Sequence, residues 1–211
     1  MTTTTAHTTS IATVTLEVTD VDAARRFYTA FGVEAYIELR EASENTGGFR
    51  GFTLALTVSQ PATVDAFLVA AVEAGAEAIK PATKSLWGYG GVVQAPDGTI
   101  WKVATSAKKN SGPATRDIDE VVLLLGVDDV KAAKKFYVER GLAVGRSFGG
   151  KYDEFASGAS SPVKLALYKR KGLAKDLGVS VDGSGSHRIV IGGGARDFVD
   201  LDGFVWEAAG R

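Results

Sequence analysis

Few residues of this chain are suited to chemistry, and the best candidates are carboxylates and basic residues in predicted strands. The sequence contains two histidines and no cysteine, so a thiolate nucleophile and a thiolate metal site are excluded. Glu17 and Glu207 each lie in a predicted strand, where a carboxylate is suited to act as a general base. Lys102 and Arg188 carry the positive charge that would stabilise a developing anion. Glu17 and Glu207 are therefore the candidate catalytic residues, for an isomerase or lyase that needs no metal.

Several other kinds of chemistry and binding are not expected. The sequence contains no G-x-S-x-G motif for hydrolysis, and the glycines at 183–194 do not follow the strand-to-helix pattern of a phosphate loop. The net charge is -1, and no basic stripe is available for nucleic acid. The chain also lacks an apolar run long enough to span a bilayer, and its start lacks the features of a signal peptide. These observations predict a cytoplasmic protein that binds neither nucleic acid nor a membrane.

The elements that position the candidate residues are encoded twice. V-T-D-V-D-A-A-R-R-F-Y at 18–28 returns as V-D-D-V-K-A-A-K-K-F-Y at 127–137. A-P-D-G-T-I-W-K-V at 95–103 returns as D-L-D-G-F-V-W-E-A at 200–208. Phrases that recur in the same order indicate an internal duplication.

The duplication divides the chain into four parts. Residues 1–9 are rich in threonine and are predicted to form a disordered tail. Residues 10–104 form the first copy, and residues 105–118 are a polar linker broken by a Gly-Pro pair. Residues 119–211 form the second copy, which is partly trimmed and is predicted to pack on the first.

Alternation within the predicted strands assigns side chains to faces. Thr13, Thr15 and Glu17 alternate with valine and leucine residues that are expected to pack against helices. By the same argument, Trp101 and Trp206 are predicted to face the helices. The Lys-rich stretch at 169–175 is interpreted as the solvated face of a helix.

Three phrases together resemble a known family. The helix opening D-V-D-A-A-R-R-F-Y, the motif W-G-Y-G-G at 87–91 and the closing A-P-D-G-T-I-W-K resemble the vicinal oxygen chelate superfamily. This superfamily includes glyoxalase I, bleomycin-resistance proteins and extradiol dioxygenases, and the resemblance covers nearly the whole chain outside the tail and linker. It implies an α+β fold of paired βαβββ modules, in which curved mixed sheets enclose a cleft.

The resemblance also implies where a metal would be held, which is at inward-facing positions on the first and last strands of each unit. In this chain those positions are occupied by Thr13, Thr53, Val122 and Arg188 on first strands, and by Lys102 and Glu207 on last strands. Only Glu207 is of the ligand type that the family uses, and a cationic side chain repels a metal ion. We therefore expect no metal and no cofactor. The alternative is a two-fold dimer that brings two copies of His187 and Glu207 together.

The resemblance and the alternation together define a predicted cleft. Its ligand-binding residues are predicted to be Thr13, Thr15, Thr53, Trp87, Tyr89, Lys102, Val122, Leu124 and Arg188. Arg188 and Glu207 are expected to form an ion pair there, with either a binding or a structural role. Trp87 and Tyr89 lie in a glycine-flanked turn, where their rings either stack on a ligand or pack against the loop.

Three functions remain open at this point. The first is a metal-independent protein that binds a small hydrophobic or aromatic molecule, as in drug or antibiotic sequestration. The second is a glyoxalase-related lyase or isomerase with a carboxylate base, and the third is a metal-dependent glyoxalase or dioxygenase. In each case the partner is a small organic molecule, and the protein is either a monomer with pseudo-twofold halves or a homodimer.

Overall fold

The computed structural model describes residues 10–42, 46–158, 161–194 and 196–208, so the predicted tail at 1–9 lies outside the described residues. The helices are α1 (Val21–Phe31), α2 (Pro61–Glu73), α3 (Val130–Val138) and α4 (Arg170–Leu177). The strands are β1 (Thr13–Val18), β2 (Glu38–Glu41), β3 (Thr46–Gly48), β4 (Phe52–Thr57), β5 (Glu77–Ser85), β6 (Gly88–Gln94), β7 (Ile100–Thr105), β8 (Glu120–Val127), β9 (Val144–Phe148), β10 (Tyr152–Phe155), β11 (Lys164–Lys169), β12 (Gly183–Gly185), β13 (Ile189–Gly192), β14 (Phe198–Val199) and β15 (Val205–Glu207). Among the described residues, no helix has the length and apolar character needed to cross a membrane.

Two larger sheets each combine strands from before and after the linker. The eight-stranded sheet has the order β5-β6-β7-β4-β8-β11-β10-β9, and the five-stranded sheet has the order β14-β15-β13-β1-β2. β3 and β12 form a separate two-stranded ribbon. At the centre of the eight-stranded sheet, β4 and β8 pair antiparallel from Phe52 opposite Leu125 to Thr57 opposite Glu120. This mixed architecture with curved sheets confirms the predicted α+β fold class.

The strand pairing separates residues that the sequence analysis assigned to one cleft. β1 belongs to the five-stranded sheet, where it pairs with β13 and β2. β7 belongs to the eight-stranded sheet, where it pairs with β4 and β6. The prediction that Thr13 and Thr15 line one cleft together with Lys102 is therefore wrong. Alternation along a strand gives the face of a side chain, but it does not say which sheet the strand joins.

The two recurring phrases begin their helices in the same way. Asp20 precedes α1, and its Oδ1 accepts a hydrogen bond of 2.8 Å from the backbone N–H of Ala23. Asp129 precedes α3, and its Oδ1 accepts from the N–H groups of Lys131 and Ala132 at 2.9 and 3.1 Å. These bonds satisfy N–H groups that have no partner within the helix, and they lower the pKa of Asp129.

The tyrosines of the two phrases are buried and bind carboxylates. Tyr28 donates to Asp97 at 2.6 Å, and Tyr137 donates to Asp200 at 2.5 Å. Burial, together with the nearby carboxylate, raises the pKa of both tyrosines well above the usual value. Both rings also contact a tryptophan of the closing phrase, Trp101 or Trp206, and each tryptophan is fully buried. The prediction that these tryptophans face the helices is confirmed.

Residues 106–118 of the linker have no helix or strand, but they form hydrogen bonds with the first half of the chain. Gln60 accepts hydrogen bonds from the N–H groups of Ser111 and Gly112 and donates to the carbonyl of Pro113 at 2.6 Å. The Arg116 guanidinium donates to the carbonyl of Phe31 at 2.7 Å, and its carbon lies 4.4 Å from the centroid of the Phe67 ring. The linker is thus packed along α2.

Replacement of Tyr137 with phenylalanine tests the buried tyrosine. Tyr137→Phe removes the donor to Asp200 and the acceptor of the Trp206 indole N–H, which are both buried. We expect the free energy of unfolding to fall by about 1–3 kcal/mol, measured by urea denaturation. Tyr36→Phe is the control, because Tyr36 packs against the core and its hydroxyl has no hydrogen-bond partner among the described residues, and it should change stability by less than about 0.5 kcal/mol. Equal effects of the two substitutions would contradict this role for the hydroxyl.

Candidate functional site

The two faces of the eight-stranded sheet are covered by different helices. Val93 and Trp101 belong to the main apolar core, together with buried residues of α1 and α2. Their neighbours Val92 and Ile100 pack instead in a second cluster with Leu173 of α4. Because successive side chains in a strand point to opposite faces, α4 lies on the face opposite to α1 and α2. We call this face the α4 face.

The helix α4 is more buried than its lysines suggest. Leu173, Ala174 and Leu177 form an apolar stripe that is almost completely buried. The solvated helix face predicted for 169–175 is confirmed for the exposed Lys171 and Lys175, and the buried stripe forms the other face of the helix. Nothing in the local sequence shows which surface will cover three apolar residues of a short helix. The sheet covers them here.

A single row of side chains crosses the α4 face. Strand register places its members side by side on six neighbouring strands: Lys80, Val92, Lys102, Ala55, Val122 and Lys164. We call these six residues the lysine row. It places two ammonium groups, which are separated by Val92, on the first half of the sheet and one on the second half.

Two of these lysines bind the carboxyl end of α4. Lys80 Nζ donates to the main-chain carbonyls of Lys175, at 3.3 Å, and Asp176. Lys102 Nζ lies 2.6 Å from Oδ2 of Asp176. A cation at the carboxyl end of a helix is stabilised by the free carbonyl groups and the helix dipole.

The Lys102–Asp176 pair lies at the boundary of two cavities. One cavity has a volume of about 330 Å³ and is bordered by Lys80, Ser85 and Trp87. The other has a volume of about 320 Å³ and is lined by residues of β4, β8, β10 and β11. Lys102, Ala104 and Asp176 line both cavities. This arrangement brings together the predicted site residues Trp87, Lys102, Val122 and Leu124.

The wall of the second cavity combines apolar, aromatic and acidic groups. The rings of Tyr152 and Tyr168 meet edge to face, with centroids 6.1 Å apart. Tyr152 donates to Oε2 of Glu154 at 2.9 Å, and burial together with this carboxylate raises the pKa of Tyr152. Glu120 and Glu154 are both paired with Lys164. The carboxylates of this wall are thus partly neutralised by one lysine of the lysine row.

Three residues near the cavities differ in accessibility. Thr53 is completely buried, and its hydroxyl donates to the carbonyl of Ile100 at 2.8 Å, so its assignment as a ligand contact is wrong. Tyr89 donates to Asp65 of α2 at 2.7 Å, which directs its hydroxyl to the opposite face of the sheet and raises its pKa. Tyr89 still lines the first cavity, so its contact with a ligand stays a prediction. Trp87 is 85% exposed and lies between β5 and β6 at the rim of the first cavity.

The candidate catalytic carboxylates lie on the other sheet and share one arginine. Arg40 of β2 contacts Oε1 of Glu17 at 2.8 Å and Oε1 of Glu207 at 2.9 Å. These bonds raise the pKa of Arg40. Thr15, on the same strand as Glu17, donates to Glu38 at 3.3 Å, and Thr13 is opposite Gly192. The partner of Glu207 is thus Arg40, and the predicted pair with Arg188 is wrong.

Arg188 and His187 precede β13 rather than lying within it. Arg188 is buried and has a left-handed backbone conformation with φ of 56°, so the alternation assumed for a strand does not apply to it. His187 contacts the carbonyls of Arg50 and Asp202 through its two ring nitrogens and stacks on Phe204 with centroids 3.9 Å apart. Both nitrogens are engaged, which contradicts the alternative of a dimer-bridging metal ligand.

Solved structures with this architecture align with almost the whole chain. Glyoxalase I from Zea mays has 15% sequence identity and a TM-score of 0.61, over 95% of this chain and 92% of that chain. A proposed dioxygenase from Bacillus subtilis has 9% identity and a TM-score of 0.57, over 95% of this chain and 84% of that chain. The chain has the fold of the vicinal oxygen chelate superfamily. No family model matches the sequence, and no curated protein matches it. At these identities the similarity establishes the fold alone.

The side chains of this vicinal oxygen chelate fold do not fit the metal that the superfamily implies. On the α4 face, neighbouring positions of the lysine row carry Ala55, Val122, Lys102 and Lys164. Two alkyl groups and two ammonium groups offer no ligand to a metal cation. On the five-stranded sheet, Arg40 lies between the two carboxylates. Within the described ranges, no three His, Cys, Asp or Glu residues cluster as a metal site.

Several cavity residues were missed by the sequence analysis. Tyr152 and Glu154 are two positions apart within β10, and Lys164 and Tyr168 are four positions apart within β11. Their spacing therefore indicated a shared face. Asp176 had no comparable signal, because its role depends on where α4 packs.

Substitutions in α4 should separate its apolar anchoring from its ion pair. Leu173→Ala or Leu177→Ala should lower the free energy of unfolding by about 2–5 kcal/mol, because each leaves a cavity among buried residues. Asp176→Asn should lower it by less than about 1 kcal/mol, because ion pairs between half-exposed groups contribute little. Urea denaturation measures both, and a larger loss for Asp176→Asn than for the leucine variants would overturn this assignment.

Proposed function

We propose that this protein binds a small hydrophobic or aromatic molecule on the α4 face, without a metal. The observation that carries the proposal is the pair of cavities on the α4 face that meet at Lys102. Volumes of about 330 and 320 Å³ lie at the lower end of the range for small-molecule sites. Sequestration of such a molecule, for example a drug, requires only binding.

The walls of the cavities offer the contacts that such a molecule needs. Val122, Leu124 and Leu173 provide apolar surface in the second cavity. The Tyr152 and Tyr168 rings provide aromatic edges and faces there, and Trp87 provides an exposed indole at the rim of the first cavity. Flat, apolar ligands gain from both kinds of surface.

Binding is favoured over catalysis by a carboxylate base. Glu17 and Glu207 are bound by Arg40 on the five-stranded sheet, away from the cavities. The carboxylates that line the second cavity are also paired, Asp176 with Lys102 and both Glu120 and Glu154 with Lys164. A carboxylate oxygen that accepts a hydrogen bond from a cation must give up that bond before it can take a proton from a substrate. A cytoplasmic location and the choice between a monomer and a homodimer stay predictions from the sequence.

A tryptophan placed between the cavities should block binding. Ala104 lines both cavities, so the indole of Ala104→Trp would occupy the space beside Lys102. We expect the affinity for the neutral fluorescent probe N-phenyl-1-naphthylamine to fall by about tenfold or more in a fluorescence titration. Thr15→Trp is the matched control on the five-stranded sheet and should bind the probe as the unmodified protein does. The reverse result, with loss only in Thr15→Trp, would move the site to the five-stranded sheet.

Elemental analysis tests the absence of a metal from this function. We expect the protein, dialysed against zinc, nickel, manganese and iron salts and then against buffer, to retain less than one metal ion per chain, because the lysine row carries alkyl and ammonium groups. Probe affinity should be the same before and after treatment with a chelator. Stoichiometric metal that is lost together with probe binding would contradict the proposal.

A further inference from the structure

We propose that the ligand of the α4 face is an organic anion, and that its charged group replaces the Asp176 carboxylate on Lys102. This inference rests on the proposed function and adds the chemical class of the ligand. In the protein as it stands, Asp176 then acts as a built-in competitor for the ligand. The argument has three steps, which concern the position of Lys102, the freedom of Asp176 and the balance of charge.

The position of Lys102 is the first step. Among the described residues of the lysine row, Lys102 is the one lysine that lines both cavities. The strand neighbours of Lys102 in the lysine row are Val92 and Ala55, which offer it no charge. A carboxylate or sulfonate bound to Lys102 can therefore carry an apolar body into either cavity, toward Trp87 or toward Tyr168.

The freedom of Asp176 is the second step. Its side chain is 46% exposed, and it lies in the last turn of α4. The helix is fixed by Leu173 and Leu177, which are buried against the sheet, and by the bonds of Lys80 to main-chain carbonyls. None of these contacts involves the Asp176 carboxylate. The carboxylate can thus rotate into solvent and leave Lys102 while α4 stays in place.

The balance of charge is the third step, and it selects an anion over a cation. Lys164 is already paired with Glu120 and Glu154, and Lys80 is bonded to α4. When the Asp176 carboxylate turns away, Lys102, which lies between the cavities, no longer has an ionic partner. A charge-assisted hydrogen bond from a ligand anion restores that partner, whereas a cation there would be repelled by Lys102.

Two probes of the same shape test the inference. The anion 1-anilinonaphthalene-8-sulfonate and the neutral N-phenyl-1-naphthylamine share their ring system, so the ratio of their affinities reports the charge preference of the site. Asp176→Asn should raise this ratio in favour of the sulfonate by about fivefold, since it removes the competitor. Lys102→Met should lower the ratio by about tenfold. Asp182→Asn and Lys109→Met are controls, because they make the same changes of net charge at exposed positions outside the cavities.

Each outcome of the titrations decides a different point. Shifts in opposite directions for Asp176→Asn and Lys102→Met, with no shift in the controls, support the inference. If both probes bind at the Ala104-dependent site but the ratio does not move in either variant, the inference is overturned and the proposed function stands. Shifts of equal size in the controls also overturn it, because they show a general effect of net charge. If neither probe binds, the proposed function falls and the inference falls with it.

Discussion

The pairing of β4 with β8 at the centre of the eight-stranded sheet is the constraint on which the site depends. This antiparallel register places Leu54 opposite Leu123 and Ala55 opposite Val122. The two leucines belong to the main apolar core beneath α1 and α2, while Ala55 and Val122 lie on the α4 face. A shift of one residue would exchange the two sets, and it would bury charged groups against the helices. The large apolar core therefore fixes the geometry of the polar face behind it.

The helix α4 contacts that face through two interactions of very different strength. Its leucines are buried, and each is worth several kcal/mol because burial of a leucine removes a large apolar area from water. Its aspartate forms an ion pair between half-exposed groups, which contributes about 0–1 kcal/mol. The position of the helix is thus fixed, whereas the contact of Asp176 with Lys102 is exchangeable. A binding site gains from this combination, because its walls are preorganised and only one contact must be given up.

The five-stranded sheet carries a cluster of ion pairs where the eight-stranded sheet carries cavities. Its carboxylates converge on Arg40, and the described strands that follow β13 are only two and three residues long. The resulting surface is an ion-pair cluster, in contrast to the cavities on the eight-stranded sheet. Glyoxalase I from Zea mays and the proposed dioxygenase from Bacillus subtilis share this fold at 15% and 9% identity, so the contrast between the two faces is argued from the side chains of this chain.

The sequence by itself determined the local elements and the family of folds. Asp20 and Asp129 marked the helix starts because a carboxylate can cap exposed N–H groups without help from distant residues. Alternation gave the buried faces of Trp101 and Trp206, and the repeated phrases indicated the vicinal oxygen chelate fold. Each of these signals is carried by residues close together in the chain.

The tertiary structure alone decided which residues share a site. Lys102 and Asp176 are 74 positions apart, and Glu17 was separated from Lys102 because β1 and β7 joined different sheets. The left-handed conformation of Arg188 likewise removed it from the alternation that its neighbours suggested. Strand partners and helix covers are selected by the burial of apolar surface summed over the whole chain. No short stretch of sequence carries that sum, so the site became visible only when the sheets were assembled.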